Sequence, residues 1–75
     1  MCIAIPGKIV KIIDDEAIVD YNGIKIKVNI MFIEKPNINE YVLIHAGCAI
    51  EKIDQINAEE TLKIFKELSE IKEEG

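Results

Sequence analysis

The sequence predicts a mostly β fold: a small five-stranded barrel over residues 1–53 and one helix over 54–75, together a single domain. Three observations predict it. Seventeen of the 75 residues are Ile and only three are Leu, and β-branched side chains, stiff at χ1, favour strands. Turn residues recur at short intervals up to Asp54. Beyond Asp54 the composition changes, and Glu, Lys and Leu replace Ile, Val and Gly.

Met1 to Gly7 reads as a short apolar opening segment, broken by Pro6-Gly7. Lys8 to Ile13 reads as the first full strand, ended by Asp14-Asp15. Glu16 to Tyr21 alternates, with Ala17, Val19 and Tyr21 on one face. Asn22-Gly23 is the strongest short-range hairpin signal, because both residues accept the positive φ of a type I′ turn. In the hairpin it implies, Tyr21 faces Ile24, Asp20 faces Lys25 and Val19 faces Ile26. Apolar thus meets apolar and acid meets base, as cross-strand pairing requires. Ile24, Ile26, Val28 and Ile30 share a face of the next strand, and Met31 to Ile33 continues or bends it. Glu34 to Asn39 is a loop around Pro36. Tyr41 to His45 and Cys48 to Ile53 are strands joined at Ala46-Gly47. Asn57 and Glu60 suggest a capping pair at a helix start. Leu62, Phe65, Leu68 and Ile71 follow at helical spacing, with Ile64 beside them. Five short strands in so few residues point to a closed or nearly closed barrel of the OB kind.

Charge narrows the functional classes. The formal net charge is −5, from nine Lys, no Arg and fourteen acids. Nucleic-acid binding draws on a basic surface, on the bidentate fork of Arg and on aromatic stacking platforms. This acidic chain has four Phe and Tyr and no Trp, so no nucleic-acid partner is expected. No apolar stretch approaches the ~20 residues that cross a bilayer, and no charged-then-apolar leader opens the chain. Two cysteines do not make a disulfide scaffold, and the expectation is a cytoplasmic protein with free thiols.

Three residues can carry chemistry. Cys2 sits among Ile3, Ala4, Ile5, Pro6 and Gly7, which bring no other reactive group. A thiolate is the form that attacks or binds metal, and it suits iron, copper or zinc better than calcium or magnesium. His45, the single histidine, shares a strand face with Tyr41 and Leu43. It is a candidate second metal contact or proton acceptor for the thiol, against the default of a packed strand histidine. Cys48 reads as packing, as free cysteines commonly are. One thiol and one imidazole are too few for a closed structural metal site, but they fit transient holding with a partner completing the set. The alternative is a small thiol-dependent redox or sulfur-transfer protein using Cys2, for which Cys48 and His45 are the only candidate helpers and stand in no redox motif.

Met1-Cys2-Ile3-Ala4-Ile5-Pro6-Gly7-Lys8-Ile9 resembles the N-terminal signature of the HypC/HupF/HybG family of hydrogenase maturation chaperones. Asn39-Glu40-Tyr41-Val42-Leu43-Ile44-His45-Ala46-Gly47 resembles a second family block, and Ala49-Ile50 through Leu62 a third. The chain departs from the pattern at Asn39, usually Gly, and at Cys48, usually an aromatic. The resemblance implies an OB-like barrel with a C-terminal helix and a chaperone without catalytic turnover. It implies complexes with a HypD-type iron–sulfur protein and with the precursor of the nickel–iron hydrogenase large subunit. The cargo it implies is iron carrying cyanide and carbon monoxide. By the same resemblance Cys2 is the iron-contacting residue and His45 a second contact. Pro6 and Gly7 form the turn that presents the N-terminus, and Cys2, Ile3, Ala4, Ile5, Pro6 and Gly7 form the segment that meets partners.

Overall fold

A computed structural model describes residues 4–74. Its elements are β1 (Ile5–Ile13), β2 (Glu16–Tyr21), β3 (Ile24–Asn29), β4 (Tyr41–His45), β5 (Cys48–Ile53) and α1 (Gln55–Glu74). The strands close into a barrel in the order β1-β2-β3-β5-β4, with β4 returning to β1. This is the expected five-stranded, OB-like barrel with a C-terminal helix.

Local chemistry sets the hairpins. Asp14, Asn22 with Gly23, and Ala46 with Gly47 all adopt positive φ, which lets two-residue loops follow the twist of their strands. The β2–β3 register pairs Tyr21 with Ile24, Asp20 with Lys25 and Val19 with Ile26, as the sequence predicts. The ammonium of Lys25 lies 3.5 Å from Asp20, and the Gly23 N–H donates to the Asp20 carboxylate at 2.9 Å.

The core comprises Ile9, Ala17, Val19, Val28, Ile30, Ile33, Val42, Ile44 and Ala49. Ile24 stands apart from its expected face-mates, 59% exposed while Val28 is 1% exposed. Its end of β3 has no β5 neighbour, because β3 and β5 pair only at Asn29↔Cys48.

Two sequence expectations need correction, and a third is decided between its alternatives. Pro6-Gly7 is not a turn but lies inside β1, paired with Leu43 and Val42 of β4. A Cβ at Gly7 would stand 2.8 Å from Ile44 Cδ1 and 3.2 Å from a methyl of Val19. Glycine is therefore used here for close approach across the barrel rather than for a bend. Pro6, next to it, is fully buried, on the strand that α1 packs against. Of the two readings of Met31 to Ile33, the bend rather than the continuation of β3 is what forms. The Asn29 side chain accepts the Met31 N–H at 2.8 Å, an Asx-type bond that replaces the ladder, and Ile33 N–H bonds back to the Ile30 carbonyl at 3.1 Å. The helix begins at Gln55, not Asn57, and its cap is Asp54. The Asp54 carboxylate accepts the backbone N–H of Asn57 at 3.1 Å and its side-chain amide at 2.6 Å, satisfying a donor that the first turn leaves free.

Helix α1 lies against β1 and β4 and buries Ala58 completely. Farther along, the Leu62 carbonyl accepts from Asn22 Nδ2 at 3.1 Å, and Phe65 meets Tyr21 edge-on with ring centroids 6.4 Å apart. The helix thus ties the outer face of β1 and β4 to the β2–β3 turn. Ile56, Ile64 and Leu68 remain exposed.

Candidate functional site

Strand β4 alternates strictly: Val42 and Ile44 are buried, while Tyr41, Leu43 and His45 are half-buried. His45 is therefore on the outer face with Tyr41 and Leu43, as its spacing in the sequence predicts. It is also the last residue before the Ala46–Gly47 turn, and its register partner is Cys48, the first residue of β5. Residues directly opposite in an antiparallel pair project to the same side. Cys48 is free and half-exposed, so the sequence reading of it as packing holds only in part. The spacing His-x-x-Cys around a Gly-containing turn is the signal that finds this pair.

The N-terminal side of the site is fixed by β1. Ile5 pairs with Ile44, so Ala4 is the next residue out along the strand direction that leads past His45. Ile5 itself packs against the core. With Pro6 and Gly7 buried, these residues act as the anchor of the segment rather than as free docking surface. Cys2 and Ile3 lie outside the described residues. Ile3 alone separates Cys2 from Ala4 in the sequence, a reach of at most about 7 Å. The topology brings Ala4, at the head of β1, and His45 to one end of the barrel.

A shallow groove runs between the 32–34 segment and β5, lined by Phe32, Ile33, Glu34, Ile50, Glu51 and Lys52. Phe32 is 72% exposed and Met31 67%. Lys52 organises the loop beneath. Its ammonium lies 3.2 Å from Glu40 and donates to the Lys35 carbonyl at 2.9 Å. Burial raises the Glu40 carboxyl, but the Lys52 ammonium and the Asn37 N–H outweigh it and hold that carboxyl below its ordinary range. On the helix side, burial and the nearby Glu59 carboxylate push the Tyr41 phenol up. The Tyr41 hydroxyl donates to Glu59 at 3.4 Å.

Among the described residues no group of three or more His, Cys, Asp or Glu side chains could hold a metal ion. The side chains with metal-ligand chemistry described at this end of the barrel are His45 and Cys48, both half-buried. Among the described residues no helix is long and apolar enough to cross a membrane.

Comparison with known proteins bears on this arrangement. The model of the HupF/HypC family matches residues 1–65. The chain is 36% identical over 72 residues to hydrogenase maturation factor HypC of Cupriavidus necator, covering 95% of this chain and 80% of that protein. It is 37% identical over 70 residues to the protein of the same name in Helicobacter hepaticus, covering 91% and 81%. To that of Azotobacter chroococcum it is 31% identical over 74 residues, covering 97% and 88%.

Proposed function

The chain belongs to the HupF/HypC family, and from that premise we propose that it is a hydrogenase maturation factor that carries iron rather than a catalyst. Its cargo is an iron atom bearing cyanide and carbon monoxide. It holds that cargo together with a HypD-type iron–sulfur protein and passes it to the precursor of the nickel–iron hydrogenase large subunit. The Cys2 thiolate is the principal protein donor and His45 the second.

The observation that supports this reading most is the Ile5↔Ile44 pairing. It sets the start of β1 in the barrel wall alongside the end of β4 that carries the single imidazole. The chemistry fits the task. Thiolate and imidazole are suitable donors for iron, and a set of so few donors leaves positions for a partner's ligands. A closed four-donor cage would retain the metal instead. Met31, Phe32 and Ile50 supply exposed apolar surface for contact with a partner.

The test is co-expression with a HypD-type partner, anaerobic purification and infrared spectroscopy of metal-bound cyanide and carbon monoxide. Bands present in the wild-type complex and absent from a Cys2→Ala complex that still forms are the expected result. Bands that persist in Cys2→Ala would assign the iron to the partner alone and overturn the role of Cys2.

A further inference from the structure

The β4–β5 hairpin presents two metal-binding side chains with nothing between them but a two-residue turn. His45 and Cys48 are register partners. Ala46 at φ 52° and Gly47 at φ 80° make the reversal tight, and Gly47 is further pinned because its carbonyl accepts the Asn29 N–H at 2.9 Å. The hairpin is thus held from both sides, by β4 pairing and by β3. Directly opposed residues have Cβ atoms about 4.5–5.5 Å apart. A metal ion bonded to sulfur at about 2.3 Å and to imidazole nitrogen at about 2.0–2.1 Å bridges such a pair without moving the backbone. Two donors separated by two residues is also a spacing that thiolate metal sites use.

We infer that His45 and Cys48 form a two-donor seat for a borderline-soft first-row divalent metal ion, with Cys48 as a ligand in its own right. The inference rests on the carrier reading only for the identity of the metal as iron. The donor pair itself stands on the hairpin geometry. Binding replaces the Cys48 S–H bond with an S–metal bond, and the thiol proton leaves to solvent. Both donors lie at the end of the barrel where β1 begins. The chain then holds its cargo by one donor more than the Cys2–His45 pair provides. The departure from the usual aromatic at this position thereby acquires a chemical meaning.

Cobalt(II) titration of the reduced full-length protein under anaerobic conditions tests this, with thiolate-to-cobalt absorption as the readout. In Cys2→Ser the only thiol left is Cys48, and the expected result is that the absorption persists. In the same background His45→Ala is expected to weaken cobalt binding by more than about tenfold, a loss that even outer-shell changes at metal sites reach. The Cys2→Ser, Cys48→Ser double variant is expected to show no such absorption. Circular dichroism and thermal melting verify that each variant is folded, and Cys48→Phe serves as a second, larger replacement should Cys48→Ser unfold the hairpin. Absence of the band in folded Cys2→Ser, or cobalt affinity indifferent to His45→Ala, overturns the inference. Either result leaves the carrier reading untouched, since that reading stands or falls on the infrared bands of the partner complex.

Discussion

Between β1 and β4 the barrel is sealed by four consecutive pairs, from Ile5↔Ile44 to Lys8↔Tyr41, whereas β3 and β5 meet at the single pair Asn29↔Cys48. The first seam has Gly7 pressed against Ile44 and Val19 on the inside and α1 on the strands' other side. The second opens into the groove of Phe32, Ile33 and Ile50. Stability and function are thereby divided between them. One seam holds the chain's N-terminal anchor in close-packed contact. The other is joined by a single strand pair and carries exposed apolar surface.

The largest expected effect is at the tight seam. Gly7→Ala places a methyl against Ile44, 5% exposed, and Val19, fully buried, and overpacking of this kind costs about 1–3 kcal/mol. Denaturant unfolding measures it. A midpoint equal to that of the wild type would show that the seam is looser than its geometry.

An intermediate effect is expected at the helix cap. The backbone N–H and side-chain amide of Asn57 hold the Asp54 carboxyl below its ordinary value. A carboxyl depressed in the folded state favours folding above its unfolded pKa, and that contribution is lost as pH falls through the depressed folded value. Glu40, also depressed, acts in the same direction. Melting temperature should therefore fall as pH drops below the ordinary carboxylate range. Asp54→Ala should remove the Asp54 part of that fall and lower the melting temperature at neutral pH, by less than Gly7→Ala does. An acid dependence identical to the wild type in Asp54→Ala would detach the cap from it.

The smallest effect is expected at the open seam. Phe32→Ala removes a side chain that is mostly in solvent, and such changes stay within about 0.5 kcal/mol. A destabilisation comparable to that of Gly7→Ala would mean that the groove is part of the core after all, and the contrast between the seams would fail.

Much of this was legible in the sequence. The β2–β3 register follows from Asn22-Gly23 and the alternation around it, since turn chemistry and period-two burial are local properties. The face of His45 follows from the alternation of Tyr41 to His45. Pro6-Gly7 misled because proline and glycine have the same local meaning, a break, whether or not another strand lies alongside. Only the proximity of Ile44 and Val19 turns that glycine into a packing requirement. Asp54 and Asn57, three residues apart, are both good capping residues, and only the hydrogen bonds between them show which one leads.

The sequence by itself determined the strand count, the hairpin turns, the terminal helix and the residues able to bind metal. Each depends on propensity, period or side-chain chemistry within a few neighbouring residues. Tertiary structure decided which strands meet around the barrel, that Pro6 and Gly7 anchor β1 against β4, and that Asn29 and Cys48 alone join β3 to β5. It also decided that β1 begins alongside the end of β4 that carries His45. These are contacts between residues far apart in the chain, selected by closure of the sheet and burial of one shared core, and no local pattern encodes them.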